Sequence, residues 1–360
     1  MYSPKFTITS KLLKDVGLIE GAKAVVESAA LLPAWEAKFK DDAEIRAVHY
    51  GTHVEGNELN LEQVKQVMEG KQIVARDRDI KEVINYRKVL DYLAKLGGDE
   101  GNGGNKGDGR NKEAYSEELL KELHKLIVAN LVDDDQVGKY RSVQVVLRDV
   151  LTGEIIHRPA AAIDVPYLMK DFFAWLNSTA AIDLHPVVKA GIVHYEIVHI
   201  HPFTEGNGRV SRALATLVMQ SEGCDIRKLF SLEEYYDKDV AAYYYALKTA
   251  DSNPDNDLTQ WLEYFTNGVA IEFNRVKEQV QHLSVDLKLK AAAGGQIFLN
   301  PRQIKIVEHI ENVGYLSNQE FKNLLPMVSE DTVLRDLKDL IGKKLIKKKG
   351  KTKAARYIMR

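Results

Sequence analysis

Apolar residues recur at helical spacing along most of the chain. Beyond Asn207 they fall three and four positions apart, at Val210, Ala213, Leu214, Leu217 and Val218. The same periodicity predicts helices at about residues 79–96, 116–130 and 258–290, the last of them long and rich in charge. The pattern therefore predicts a mainly α-helical protein.

One stretch inside this helical pattern has the two-residue period of β-strands. Val143, Val145 and Leu147 occupy every second position, and turn-forming residues follow at 151–154. The chain then runs back through residues 155–157. This order predicts a β-hairpin.

The C-terminal segment, residues 297–360, has a pattern of its own. Helix starts are predicted at Asn300-Pro301, at 316–318 and at Ser329, because cap residues precede apolar positions there. Residues 345–358 then predict a basic two-stranded wing. The arrangement resembles a winged helix-turn-helix, which is a small α+β domain.

Charge sets this segment apart from the rest of the chain. It holds 14 Lys and Arg against 7 Asp and Glu, a net +7, while the whole chain carries −2 and the remainder −9. The lysines of the wing fit contacts to phosphates, which predicts binding of duplex DNA through residues 297–360. The third helix would be the recognition helix, yet it opens with Glu330 and Asp331, which are unfavourable beside phosphate. A winged helix that docks a protein or makes a homodimer is the alternative.

The residues best suited to chemistry lie in one stretch of twelve, residues 201–212. His201 has an unperturbed pKa suited to base work near neutral pH. Glu205 offers hard oxygen ligands for Mg²⁺. Glycines at 206 and 208 let backbone N–H groups approach phosphate oxygens where a loop opens into a helix.

This stretch resembles the signature of the Fic family, His-x-Phe-x-(Asp/Glu)-Gly-Asn-Gly-Arg-x-x-Arg, and every fixed position is filled. The resemblance implies a helical core beside a hairpin flap, and transfer of AMP from ATP to a hydroxyl of a target protein. It makes His201 the general base and Glu205 the Mg²⁺ ligand. The anion hole and the phosphate clamp would be formed by Gly206, Asn207, Gly208, Arg209 and Arg212. Both glycines are kept, whereas a kinase-like branch of the family replaces them, and this favours nucleotidyl transfer.

The histidines around the motif have other interpretations. His199 and His201 form a His-x-His pair, which can bind a metal, although such pairs usually end a strand and a helix is predicted here. His185, His194 and His199 are better explained as packing or capping residues.

Three further segments resemble parts of the same family. Residues 138–141 match its Gly-x-Tyr-Arg, and the hairpin matches a flap that holds the target chain by strand addition. His157 ends this hairpin, and the resemblance assigns it, with Tyr243 and Tyr244, to the nucleotide site. Ordinary helix packing is the alternative for the tyrosines. Asp251 stands where the family has an asparagine, which leaves recognition of the base open.

An inhibitory motif is predicted at residues 51–57. Its Glu-Gly-Asn part is intact, whereas Gly51 stands at the usual Ser/Thr position. In the family this glutamate pairs with the second motif arginine, so Glu55 would pair with Arg212 and keep it from the γ-phosphate. The alternative is a plain helix end, with Gly56 as the residue that terminates it.

Length and composition bound the organisation. The 360 residues predict an N-terminal region at 1–110 with the inhibitory motif and a mobile Gly-rich loop at 97–109, a catalytic core at 111–290 and the winged helix at 297–360. The single cysteine, Cys224, suits a reducing compartment. With no signal peptide or membrane span visible, a cytoplasmic protein is expected.

These observations predict a protein adenylyltransferase that is autoinhibited by Glu55, with Mg²⁺ as cofactor and ATP as substrate. Two alternatives stay open: a DNA-binding regulator with a nucleotide-sensing core, and removal of AMP by the same site, with Glu55 orienting a water. The sequence does not name the target protein. It also leaves open another nucleoside triphosphate or a phosphocholine donor.

Overall fold

The computed structural model describes residues 2–29, 31, 33–96, 115–148, 155–253, 255–292, 299–317, 320–326, 328–350 and 356–359. The predicted Gly-rich loop and the hairpin turn at 151–154 lie outside these residues. The chain divides into two units, Met1–Glu27 with Pro33–Val276, and Ser28–Leu32 with Lys277–Arg360.

Helices account for most of the described residues, so the predicted mainly α fold is confirmed. In chain order they are α1 Ser10–Ser28, α2 Pro33–His53, α3 Leu61–Met68, α4 Asp77–Leu96, α5 Glu117–Val128, α6 Val165–Leu176, α7 Thr179–Ile182, α8 Pro186–Ile200, α9 Asn207–Ser221, α10 Glu233–Lys238, α11 Val240–Asp251, α12 Thr259–Ala292, α13 Pro301–Val313, α14 Phe321–Leu324 and α15 Glu330–Gly342. The strands are β1 Leu147–Arg148, β2 Ile155–His157, β3 Leu316–Ser317, β4 Ile346–Lys349 and β5 Arg356–Met359.

Helix α8 lies at the centre of the first unit. It is apolar on nearly all sides and buried along almost its whole length, as expected of a helix surrounded by others. Gly191 of α8 allows α12 to approach closely, and the Trp261 indole N–H donates to the Gly191 carbonyl at 2.8 Å. Helix α9 packs along α8, so the loop between them is held at both ends by buried helices.

The N-terminal helices form a small core beside α9. Val48 of α2, Val64 of α3 and Val83 and Tyr86 of α4 are buried together. Asn60 and Gln63 form a reciprocal capping box at the start of α3. This box fixes the direction of the short segment that connects α2 to α3. The end of α2 is therefore held firmly near α9.

The hairpin is shorter than its sequence pattern predicts. Strands β1 and β2 pair antiparallel, with Leu147 opposite His157, but residues 143–146 are not a strand. Their carbonyls are taken by side chains instead: Arg141 donates to the Val143 carbonyl at 3.1 Å, and Gln144 donates to the Val145 carbonyl at 3.2 Å. These bonds satisfy the carbonyls of Val143 and Val145 without a partner strand.

In the second unit, helices α13 and α15 cover a sheet with the order β3-β5-β4. The sheet has three described strands where the sequence predicts a wing of two. Residues 316–317, predicted to begin a helix, form β3 opposite Tyr357 and Arg356 because Leu316 belongs to the buried core. Lys351 and Lys353 lie outside the described residues.

None of the helices in the described part of the chain is long and apolar enough to cross a membrane.

Close packing at Gly191 gives a test of the fold. A Cβ at this position would lie 2.8 Å from Leu262 Cδ2 and 3.1 Å from the Phe265 ring. We expect Gly191→Ala to lower the free energy of unfolding by about 1–3 kcal/mol through overpacking. Gly21→Ala on α1, which meets nothing within 4 Å, should instead be neutral or stabilising by up to about 1 kcal/mol. Urea unfolding of both variants measures the contrast, and equal effects would contradict this packing.

Candidate functional site

His201 stands at the junction between α8 and the motif loop. It follows the last helical residue in the left-handed conformation, with φ 53°, and its N–H donates to the Ile197 carbonyl at 3.0 Å. A non-glycine residue in this conformation needs support from its surroundings, and such residues concentrate at functional sites. The turn directs the following residues back over the end of α8.

The hydrogen bonds of His201 define its tautomer. Nδ1 faces the Val198 carbonyl at 3.2 Å, and a carbonyl oxygen only accepts, so Nδ1 carries the proton. Nε2 then keeps its lone pair. Burial lowers the pKa of His201 to about 4, so the ring is neutral at neutral pH and can accept a proton.

At both glycine positions of the motif, the surrounding atoms leave no space for a larger residue. Gly206 precedes α9 with φ +80°, and a Cβ there would press on Val128 and Ile127. At Gly208 a Cβ would clash with Oε1 of Glu55. The first glycine thus permits the turn into α9, and the second leaves room for Glu55 at the positive end of the helix.

Asn207 was predicted to line the anion hole, but in the structure its side chain forms hydrogen bonds within the motif loop. Its Oδ1 accepts from the Phe203 N–H at 2.9 Å, and its Nδ2 donates to the Phe203 carbonyl at 2.9 Å. Both ends of the buried amide are therefore used within the loop. Asn207 therefore fixes the shape of the loop.

Glu205 lies in the loop with about a third of its side chain exposed, 31%. Its Oε1 pairs with Arg209 at 3.3 Å and also with Arg78 of α4. A carboxylate in this exposed position fits Mg²⁺ chemically. Its partner Arg78 is itself half exposed, at 53%.

The two motif arginines are buried and incompletely paired. Arg209 lies 3.5 Å from Glu82, and Arg212 donates to Glu55 at 2.8 Å and to the Gly51 carbonyl at 2.9 Å. Nε and Nη1 of both have no hydrogen-bond partner of normal geometry among the described residues. Buried guanidinium donors without partners are costly, and their arrangement fits an anionic ligand.

Glu55 reaches Arg212 from the end of α2. Gly56, with φ +91°, donates to the His53 carbonyl at 2.8 Å and terminates the helix. The helix-end interpretation and the predicted Glu55–Arg212 contact therefore describe the same feature. Burial raises the pKa of Glu55, but the charges of Arg212 and Arg209 and the hydrogen bond from Arg212 together lower it, so the carboxylate stays ionised.

Residues 138–141 brace the motif loop. Arg141 Nε donates to the His201 carbonyl at 2.8 Å, and its Nη2 donates to the Ala160 carbonyl at 2.6 Å. This one side chain ties the motif to the segment that follows β2.

His124 of α5 supports the loop from below. Its ring stacks on Phe203 with centroids 3.8 Å apart, Nε2 donates to the Glu205 carbonyl at 3.1 Å, and Nδ1 accepts from the Gly138 N–H at 3.0 Å. Burial lowers its pKa to about 4, so it acts here as a neutral brace.

The two tyrosines predicted at the nucleotide site differ in their surroundings. Tyr243 is buried among aromatic rings, and its hydroxyl bonds His194 Nε2 at 2.8 Å, which agrees with the packing alternative. Tyr244 is 36% exposed. Burial, and to a smaller extent the negative charge of Glu55, raise the pKa of Tyr244 to about 12.

The remaining histidines separate into two groups. His185 caps α8 by accepting from the Val187 N–H at 3.3 Å, and His194 packs in the core, as predicted for both. His199 is different: it pairs with Asp251 at 2.7 Å, and His157 pairs with the same carboxylate at 2.8 Å. These three side chains form a cluster next to the motif.

Sequence reasoning missed Arg78, Glu82 and His124. Each comes from α4 or α5, far from the motif in the chain, and none belongs to a recognisable pattern. Asp251 was visible only as a departure from the family asparagine.

Comparisons with known proteins agree with this geometry. The Fic/DOC family model matches residues 114–219. A protein named "Protein adenylyltransferase Fic" from Drosophila grimshawi is 30% identical over 184 residues, which are 51% of this chain and 34% of that protein. Its namesake from Culex quinquefasciatus is 28% identical over 206 residues, 57% of this chain and 38% of that protein. The chain thus spans about a third of the length of the curated relatives it matches.

Solved structures extend the likeness beyond the matched domain. A Fic family protein from Desulfovibrio desulfuricans aligns over 100% of this chain and 98% of its own, with a TM-score of 0.65 and 24% identity. Fic-1 from C. elegans aligns over 75% of this chain and 73% of its own, with a TM-score of 0.57 and 22% identity. At these identities the likeness concerns the fold. The chain therefore carries a Fic/DOC family domain at residues 114–219.

Proposed function

We propose that this chain is a protein adenylyltransferase, a nucleotidyltransferase that moves AMP from ATP to a hydroxyl of a target protein. One observation carries the proposal: the free Nε2 of His201 lies in the same motif as two buried arginines with unfilled donors at the start of α9. The names of the relatives that match the domain support it.

The proposed reaction needs one proton acceptor. The hydroxyl oxygen of the target attacks the α-phosphorus of ATP, and the bond from that phosphorus to the oxygen bridging the β-phosphate breaks. Pyrophosphate leaves with the electron pair of that bond. His201 Nε2 takes the hydroxyl proton, a contribution of roughly 10²–10⁴-fold in rate for a well-placed base.

The remaining motif residues hold the triphosphate. Backbone N–H groups at the start of α9 and the guanidinium groups of Arg209 and Arg212 are donors to phosphate oxygens. Glu205 would hold Mg²⁺, which neutralises part of the phosphate charge when bound. Asn207 keeps the loop in the shape that these contacts need.

Glu55 opposes this binding mode. Its carboxylate accepts a hydrogen bond from Arg212 at 2.8 Å and sits against Gly208, where phosphate would approach. Its negative charge repels the nucleotide and neutralises the arginine that should bind it. We therefore propose that the chain is autoinhibited and becomes active when the end of α2 withdraws Glu55.

Two alternatives concern the same site: whether it transfers or removes AMP, and which donor molecule it uses. Glu55 could orient a water for removal of AMP from a modified protein. The relatives' names suggest ATP as the donor. Mass spectrometry of the protein after incubation with other nucleoside triphosphates or a phosphocholine donor tests the alternatives. A homodimer and a cytoplasmic location stay predictions.

We expect Glu55→Gly to increase self-modification with Mg·ATP by about 5- to 150-fold, the usual range of regulatory coupling. The reason is that Arg212 is released for phosphate. Intact-protein mass spectrometry, which detects an AMP-sized adduct, measures the effect.

The matched control is Glu58→Gly, which removes a neighbouring carboxylate that is 73% exposed and pairs with Arg76. It should leave the rate unchanged. Adding His201→Ala to Glu55→Gly should abolish the gain. If Glu55→Gly remains as inactive as the wild type with several triphosphates, the proposed autoinhibition is wrong.

A second prediction separates binding from chemistry. In the Glu55→Gly background, Arg212→Ala should weaken ATP binding roughly 10- to 100-fold, because charge-assisted hydrogen bonds to phosphate are lost. His201→Ala should change affinity little, since a base acts on the chemical step. Calorimetry on both double variants decides it. Equal losses of affinity would contradict the separate roles.

The second unit suggests a DNA contact. Lys347, Lys348 and Lys349 are consecutive on β4 and all exposed, while Ile346 before them is buried. We propose that these lysines meet phosphates of duplex DNA. The acidic start of α15 makes sequence reading by that helix unfavourable, so the contact would be weak and independent of sequence.

The triple variant with alanine at Lys347, Lys348 and Lys349 should bind DNA with a weaker dependence on salt. Each lysine that contacts a phosphate contributes about −0.9 to the slope of the log binding constant against log salt concentration, so the slope should flatten by at most about three times 0.9. Fluorescence anisotropy with labelled duplex at several salt concentrations measures the slope. The control is Lys11→Ala with Lys14→Ala, which removes two exposed charges from α1. A wild-type chain that does not bind even at low salt would leave protein docking as the role of this unit.

A further inference from the structure

Three side chains outside the proposed phosphate and proton-transfer groups converge on one point. His157 comes from β2, His199 from α8 and Asp251 from the last residue of α11. His157 Nδ1 lies 2.8 Å from Asp251 Oδ2, and His199 Nδ1 lies 2.7 Å from Oδ1. All candidate ligand atoms lie within 4.8 Å of one another.

The hydrogen bond of His157 shows which of its two ring nitrogens can bind a metal ion. Its Nε2 lies 2.9 Å from the His199 carbonyl, which only accepts, so Nε2 carries a proton. In the neutral ring Nδ1 then directs a lone pair at the Asp251 carboxylate. A metal ion between Nδ1 and this carboxylate, whose nearest oxygen is 2.8 Å away, would be bound by both groups.

The second imidazole faces the same carboxylate. Tyr195 donates its hydroxyl proton to Asp251 Oδ1 at 2.7 Å and lies 3.2 Å from His199 Nδ1. A hydrogen bond from a neighbouring side chain to a carboxylate is the usual support that orients a metal ligand. Two imidazoles, one carboxylate and a supporting hydroxyl thus meet at one place.

We propose that His157, His199 and Asp251 bind a divalent transition metal ion, with zinc as the expected occupant. Imidazole nitrogens suit zinc and its neighbours, whereas Mg²⁺ and Ca²⁺ prefer sites made of oxygens alone. Three protein ligands leave a position for water. The side chains of His157, His199 and Asp251 are 10%, 30% and 22% exposed, so an ion from solution can reach them.

The two N–O distances in the cluster are somewhat shorter than those of a tetrahedral site. Ligand bonds of about 2.0–2.1 Å place neighbouring ligand atoms about 3.3 Å apart. The present N–O distances of 2.7 and 2.8 Å must therefore open by about half an ångström. Because the three residues come from separate elements, the bound ion would tie the hairpin strand β2 to the ends of α8 and α11.

The test uses the full chain after dialysis against a chelator. Calorimetry with Zn²⁺ at neutral pH should show one site, and Co²⁺ should give a visible spectrum of a tetrahedral ion. His157→Ala and His199→Ala should each weaken Zn²⁺ binding at least about 10-fold. Asp251→Asn, which keeps the side-chain shape, should also weaken it.

Two controls separate this site from others. His185→Ala removes a histidine that pairs with Glu20 at 3.1 Å elsewhere on the unit, and Glu205→Gln removes the proposed Mg²⁺ ligand. Neither should change Zn²⁺ affinity. X-ray absorption of the zinc-loaded wild type, which needs no variant, should show two nitrogen ligands from imidazole. Absence of Zn²⁺ binding, an all-oxygen shell, or affinity lost in Glu205→Gln and kept in His157→Ala would each overturn the proposal.

Discussion

The turn from α8 into α9 is the constraint on which the site depends. Two buried helices fix its ends, and His201 and Gly206 supply the two left-handed residues that let the chain reverse so tightly. Asn207 closes the loop onto Phe203, and His124 supports it from α5. Because all these bonds lie inside the protein, they fix the position of His201 relative to the start of α9.

Charge balance explains why this rigid loop can still be regulated. Arg212 is buried at 2% exposure, and a buried guanidinium without a counter-charge is strongly destabilising. In the structure Glu55 is that counter-charge, and in the proposed active state the phosphate would replace it. Inhibition then requires no change in the loop itself. Activation would require that the end of α2 exchange places with an anion beside Gly208, where a Cβ would clash with Glu55.

Spacing along the chain predicted local features, whereas the one distant contact that was predicted, between Glu55 and Arg212, came from the family resemblance. Helical period, the hairpin and the grouping of residues 201–212 depend on spacing along the chain, and the structure shows them. The partners that complete the site come from elsewhere: Arg78 reaches Glu205 across 127 positions, and Asp251 reaches His199 across 52. No periodicity encodes such pairs. Residues 143–146 are not a strand for a different, local reason: side chains of Arg141 and Gln144 satisfy the carbonyls of Val143 and Val145.

The hairpin is linked to the motif loop at both of its ends. Arg141 bonds the His201 carbonyl and the carbonyls of Val143 and Ala160, which flank the hairpin on either side. His157 bonds the His199 carbonyl and, with His199, the Asp251 carboxylate. The strand that would hold a target chain is thus positioned by the same backbone that positions His201. The Asp251 carboxylate thus connects the end of the hairpin to the end of α8, directly beside His201.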